Sequence, residues 1–170
     1  MAGVSDTRPI STSWRDFEAA APQLAEYGLA RLSVGIALLG ALRRDGSPRI
    51  SVVEPRFLLG RLLVGLKSGT VKADDLLLDP RCMLHSAVID PMTDGEFKLI
   101  GKAEPLEPDL ATSAGDADEW WAAQPANAYQ LFAIAVEEVV SITWDVGRGS
   151  TTVTRWTPDG GVRETSQHHP

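Results

Sequence analysis

The residues best suited to chemistry fall in one short run, Leu66-Lys67-Ser68-Gly69-Thr70-Val71-Lys72. Its pattern sets the end of a strand, a glycine-containing loop and the start of a helix in immediate succession. The first amides of a helix have no intrahelical acceptor and stand at the positive end of its dipole, so together they favour an anion, phosphate above all. The hydroxyls of Ser68 and Thr70 can donate hydrogen bonds, and Lys67 and Lys72 bring charge. A plainer reading stands beside this one: Thr70 caps the helix and both lysines are solvated. Asp74 and Asp75 favour the plainer reading, because carboxylates in the first turns already complement the dipole and would repel a phosphate by about 1 kcal/mol through water. The GxxxxGK(S/T) spacing of a P-loop is absent.

Other side chains invite chemistry less. Trp120-Trp121 could stack on a ring, but an adjacent pair more often packs one ring in the core and sets the other at an interface. Trp144 and Trp156 fall in strand patterns and read as core or contact residues. His85 alternates with apolar neighbours, which marks a structural histidine before a haem ligand, and Cys82 reads as a small buried hydrophobe. Glu137-Glu138 looks like a carboxylate pair, yet neighbours on a strand face opposite sides, which speaks against joint acid–base work.

Charge and composition remove whole classes of function. Lys plus Arg number 16 against 23 Asp plus Glu, a net of -7, and both nucleic acid and anionic membrane need clustered positive charge instead. With Cys82 the only cysteine, neither an internal disulfide nor a cysteine metal cluster can form. His168 and His169 sit in a polar tail, so a multi-histidine metal site would require that tail to fold back on His85. The start of the chain lacks the charged and apolar regions of a signal peptide. Its charge-free run Leu32–Leu42 falls short of the ~20 residues of a membrane helix, and Gln124, Pro125, Asn127 and Gln130 interrupt Trp120–Val136. A cytoplasmic soluble protein is expected. At 170 residues with 44% hydrophobic content, the chain can bury the core of one domain.

The elements that must position the Lys67–Lys72 run follow from periodicity and punctuation. Ser13 is a helix N-cap ahead of Trp14, Phe17 and Ala21, and Pro22 restarts the helix so that Leu24 and Tyr27 extend its stripe. Val34–Leu42 reads as a buried strand, Arg44-Asp45-Gly46-Ser47 as a hairpin turn, and Arg49–Glu54 as a second strand. Phe57–Leu66, turned at Gly60, is a third strand or a short hairpin. A short helix after Thr70 ends at Pro80, and Arg81–Ile89 and Glu96–Ala103 are further strands separated by a loop at Pro91–Gly95. Asp109–Ala123 reads as an acidic helix and Leu131–Asp145 as a long strand, bulged at Glu137-Glu138. Thr151–Thr157 is the last predicted strand, and residues 158–170 are expected as a mobile tail, with 1–13 a tail at the other end and 14–157 the domain. The sum is a mainly β fold: six or seven antiparallel strands closed into a barrel with peripheral helices.

Four segments in register carry a resemblance. They are Trp14-x-x-Phe17, Leu42-Arg43-Arg44-Asp45-Gly46-Ser47-Pro48-Arg49-Ile50-Ser51, Lys72-Ala73-Asp74-Asp75-Leu76-Leu77-Leu78-Asp79-Pro80-Arg81, and Lys98-Leu99-Ile100-Gly101-Lys102-Ala103. Together they resemble the pyridoxamine 5'-phosphate oxidase-like, flavin-binding split-barrel superfamily, nearest to its actinobacterial branch of flavin and deazaflavin reductases. The resemblance spans most of Trp14–Trp156. It implies a homodimer of split barrels with cofactor sites at the subunit interface, FMN or a deazaflavin as cofactor, and hydride transfer with a small organic substrate. By the same resemblance Arg49, Ile50 and Ser51 line the cofactor's ring or ribityl chain, and Lys67, Ser68, Thr70 and Lys72 hold its phosphate. No catalytic acid or base carries over.

The departures matter too. Val71 and Asp74 stand where family members commonly place arginines, which thins the positive charge and leaves open a non-catalytic module that binds haem or no cofactor. The C-terminal Arg-x-His element of true pyridoxamine phosphate oxidases is not recognisable, so vitamin B6 oxidation is not expected.

Overall fold

A computed structural model describes residues 11–88, 95–125 and 127–168. Two helices open it. Ser13 and Asp16 form a capping box for α1 (Trp14–Ala20): the Ser13 hydroxyl accepts from the Asp16 amide and the Asp16 carboxylate accepts from the Ser13 amide. Pro22 occupies the first position of α2 (Pro22–Leu32), where its missing N–H costs nothing, and so starts a new helix as expected. α2 buries Leu24, Ala25, Gly28 and Leu32; at Gly28 the Phe97 ring comes within 2.3 Å of where a Cβ would stand, so only glycine lets this helix lie on the sheet.

The strands are β1 (Ala37–Leu42), β2 (Pro48–Val53), β3 (Arg56–Leu58), β4 (Arg61–Lys67), β5 (Arg81–Ser86), β6 (Glu96–Pro105), β7 (Tyr129–Asp145), β8 (Ser150–Thr157) and β9 (Gly161–His168), with α3 (Val71–Leu78) between β4 and β5. Two short helices, α4 (Pro108–Asp116) and α5 (Glu119–Ala122), precede β7. Every pairing is antiparallel along the path β2-β1-β5-β6-β7-β4-β3, while β8 joins β7 and β9 joins β8. β2 and β3 lie at opposite ends of that path, yet only Glu54 and Pro55 separate them in the chain. A link with a reach of about 10 Å forces the sheet to curl until its ends meet without a shared ladder. That curl is the antiparallel split barrel.

β7 is its spine, pairing with β6 on one side and successively with β4 and β8 on the other. The β6–β7 register shifts between Ile100 and Gly101, leaving Glu137 as the extra residue; the predicted bulge is there. The main core gathers Trp14, Phe17, Leu39, Phe97, Phe132 and Trp156 among others, with the Trp14 ring edge-on to Phe57 at 4.7 Å and to Phe17 at 5.2 Å. A smaller cluster of Leu63, Ala114, Trp121, Leu131 and Ala133 lies under α4 and α5.

Three expectations need correction. Among the described residues the sheet has nine strands rather than six or seven, partly because Phe57–Leu66 is the β3–β4 hairpin. Of the stretch expected as a mobile tail, Gly161–His168 forms β9 instead, paired along its whole length with β8. The single helix expected over Asp109–Ala123 is broken, because Asp118 turns out of it to cap α5, accepting from the Trp121 amide at 3.0 Å. Arg56 Nε donates to the same carboxylate at 2.9 Å, which ties α5 to β3. Of the predicted 1–13 tail, only residues 11–13 are described; there the Thr12 carbonyl accepts from the Val136 amide. Ile89 and most of the Pro91–Gly95 loop lie outside the described residues.

Candidate anion and cofactor site

β4 delivers Lys67 to the rim of the barrel, opposite Tyr129 of β7. The chain then turns: the Ser68 amide donates to the Ala128 carbonyl at 2.9 Å, and Gly69 adopts φ +70°, a left-handed conformation that favours glycine. Thr70 occupies the N-cap position of α3 but does not cap it. Its hydroxyl turns back to donate to the Lys67 carbonyl at 2.7 Å, closing the loop. Thr70 supplies only its own carbonyl, which accepts from the amides of Ala73 and Asp74. The amides of Val71 and Lys72 therefore have no partner among the described residues. The plainer reading, a helix end satisfied by its own threonine, is not what the structure contains.

The two neighbouring aspartates behave differently. Asp74 is exposed in the first turn and does oppose an anion there. Asp75 is turned inward, only 6% exposed, and accepts from Arg49 Nε at 2.7 Å. A buried carboxylate is costly unless paired, and this partner neutralises the repulsion that position alone would suggest. The 3.6-residue period was the available signal: it sets Asp75 beside Leu76 on the inward flank, where a carboxylate needs a cation. What the sequence does not disclose is that the cation is Arg49, on β2.

Register sorts the remaining predicted residues. Arg49 stands opposite Ala41 and Ser51 opposite Leu39, both buried, so Arg49 and Ser51 face the α3 side of β2. Ile50 points the other way and is 73% exposed. Arg49 thus reaches α3 at Asp75, three residues after Lys72, and Lys67, Ser68 and Thr70 lie in the loop that precedes the helix, while Ile50 stands apart on the outer face. There it belongs to a strip with Val52, Leu38 and Met83, all exposed and in register across β2, β1 and β5.

The other candidates are occupied structurally. Trp121 is buried, its indole lying against Gly65 so closely that a Cβ there would come within 3.0 Å of it, whereas Trp120 is exposed and edge-on to Tyr129. Trp156 is a core residue against Phe17. The two ring nitrogens of His85 face the Ser86 carbonyl at 2.7 Å and the Glu96 carboxylate at 3.6 Å. Lys98, 2.5 Å from Glu96, is the first cause holding that carboxyl below its usual range. Burial, with a smaller push from Glu137, raises the Cys82 thiol from 9.0 to about 12, so it stays protonated and unreactive. Glu137 and Glu138 pair separately, with Lys102 and Arg155. Among the described residues no set of His, Cys, Asp and Glu could hold a metal ion, and no helix is long and apolar enough to cross a membrane.

Two clefts stand out among the described residues. One, of about 450 Å³, lies between the α1–α2 junction and the β7–β9 arm; the other, of about 520 Å³, lies between α4–α5 and the start of β7. Neither is lined by a predicted site residue, although the second includes Ala128, whose carbonyl anchors Ser68.

No protein-family model matches the sequence, and no curated protein matches it significantly. Solved structures do. PhzG from Burkholderia lata 383, in complex with tetrahydrophenazine-1-carboxylic acid, superposes with a TM-score of 0.66 over 99% of this chain and 98% of its own, at 14% identity. A pyridoxamine 5'-phosphate oxidase-related, FMN binding protein from Nostoc punctiforme gives 0.62 over 88% and 96%, at 12% identity. A heme binding protein from Mycobacterium smegmatis gives 0.52 over 85% and 87%, at 17% identity. The likeness is one of fold: this chain has the split-barrel architecture that those proteins share.

Proposed function

We propose that the chain binds FMN, or a deazaflavin with a similar phosphate end, and serves as an oxidoreductase on a small organic substrate. The observation that carries this reading is the uncapped start of α3, with two open amides, Lys67 and Lys72 around it and Arg49 on its flank. That donor set suits a phosphate: two open backbone N–H groups lie in a segment that carries two lysines, against the exposed Asp74 carboxylate in the first turn. A bound flavin or deazaflavin would supply the hydride chemistry. The chain's own part is to hold and orient the ligand, the loop gripping the charged end while Ser51 and the apolar wall beside it meet the rest. The role assigned to these residues is positioning, and none of them is assigned as a catalytic acid or base.

The reading includes a homodimer. The strip of Ile50, Val52, Leu38 and Met83 on the outer face exposes contiguous apolar surface of the kind a partner covers, and a second copy of the chain seated there would bury it.

A specific observation favours a second reading. Asp74 in the first turn keeps the charge thin, and a binding module that holds haem or nothing would tolerate it. His85 is then the obvious haem ligand, but it would have to break from both Ser86 and Glu96.

Fluorescence titration separates the readings. Lys72→Ala is expected to weaken FMN binding by about 1–3 kcal/mol, roughly 5- to 150-fold in Kd, the range for a hydrogen bond to a charged group. Equal affinities of variant and parent would show the phosphate site to be misassigned. Haem uptake by a protein that ignores FMN would establish the second reading.

A further inference from the structure

Asp75 carries a consequence that pairing alone does not exhaust. It accepts from Arg49 through Nε only, at 2.7 Å, rather than through the two-pronged fork an arginine offers a carboxylate. A guanidinium has five donors, and this contact uses one. The terminal Nη1 and Nη2 groups have no partner among the described residues, and the Arg49 side chain remains 23% exposed. Asp75 lies three residues after Lys72, so the two are neighbours on the same flank of α3, about 4.5 Å apart along its axis. A guanidinium held at Asp75 is thereby held about one turn along α3 from the residues whose amides are open.

We infer that Asp75 is a positioning residue: it holds Arg49 by Nε so that the terminal nitrogens are presented to the phosphate group of the ligand. The inference rests on the phosphate reading above and deepens it. It also changes the part of Arg49, which sequence resemblance places along the ring or ribityl chain. The same carboxylate that in the sequence counts against an anion thereby supplies the site with an oriented donor pair.

The test compares FMN with riboflavin, which has the same ring and ribityl chain but no phosphate. In Arg49→Lys the charge is kept, but the single ammonium is taken up by Asp75 and no oriented pair remains. FMN affinity is expected to fall about tenfold with riboflavin affinity unchanged. Asp75→Ala should show the same selective loss, and Asp75→Asn, whose amide oxygen still accepts from Nε, should restore FMN affinity. A merely structural ion pair would lower the melting temperature of these variants and shift both ligands together, or neither. FMN binding by Arg49→Lys equal to the parent's, or tighter binding by Asp75→Ala, would overturn the inference. Should Asp75→Ala not fold, the Arg49→Lys and Asp75→Asn pair decides. Lys72→Ala keeps the two claims apart: its failure to weaken FMN binding removes the phosphate reading itself, whereas its success alongside an unaffected Arg49→Lys removes only the role of Asp75.

Discussion

Gly101→Ala should lower the melting temperature by roughly 6–12 °C. Gly101 faces the bulge in the centre of the β6–β7 ladder, and a Cβ added there would stand 1.9 Å from the Ala135 carbonyl oxygen. That oxygen is backbone, held in a strand flanked by ladders, so no flexible side-chain end can swing aside. Either the ladder separates at its bulge or β6 shifts relative to β7, and strain of this kind in a packed interior costs about 3 kcal/mol or more. At a length of 150–250 residues each kcal/mol is worth about 2–4 °C, which gives the expected fall. Gly40→Ala is the control, since a Cβ on β1 would meet the Met83 carbonyl at an ordinary 3.7 Å. Thermal unfolding of the two variants checks the bulge: equal melting temperatures would mean that β6 and β7 are not registered as described.

Ile50→Asp should dissociate the proposed homodimer, raising its dissociation constant at least ~100-fold. A two-fold interface contains each residue twice, so one substitution removes two buried isoleucines, about 1.5–3 kcal/mol each, and buries two carboxylates instead. Because Ile50 is 73% exposed in the single chain, folding itself should be little affected, which makes the variant informative. Sedimentation of parent and variant at matched micromolar concentrations reads the result. A parent already at the 18.3 kDa of one chain, or a variant that associates as strongly as the parent, would remove the dimer from the account.

Much of the barrel is legible in the sequence where local chemistry decides it. Ser13 with Asp16, Pro22, Gly46 in its turn and the Glu137-Glu138 break in alternation each mark a feature that the structure contains. β9 is illegible for a physical reason: Gly-Val-Arg-Glu-Thr-Ser-Gln-His has no apolar alternation, and every residue of it is exposed. Its strand form comes from the backbone ladder with β8, helped by side-chain contacts such as Thr152 with Ser166 and Thr154 with Glu164. The Lys67–Lys72 loop is readable as strand end, glycine turn and helix start because the three are contiguous in the chain. The Arg49–Asp75 pair was not, since its partners lie 26 residues apart and meet only when β2 and α3 pack. Nor could spacing show that Thr70 would turn its hydroxyl away from the helix it precedes.

A crystal structure of the protein grown with FMN tests the central claim most directly. The phosphate is expected within hydrogen-bonding distance of the Val71 and Lys72 amides, with the Lys72 ammonium and the Arg49 terminal nitrogens closing around it. A phosphate seated elsewhere, or amides still bare beside saturating FMN, would contradict it.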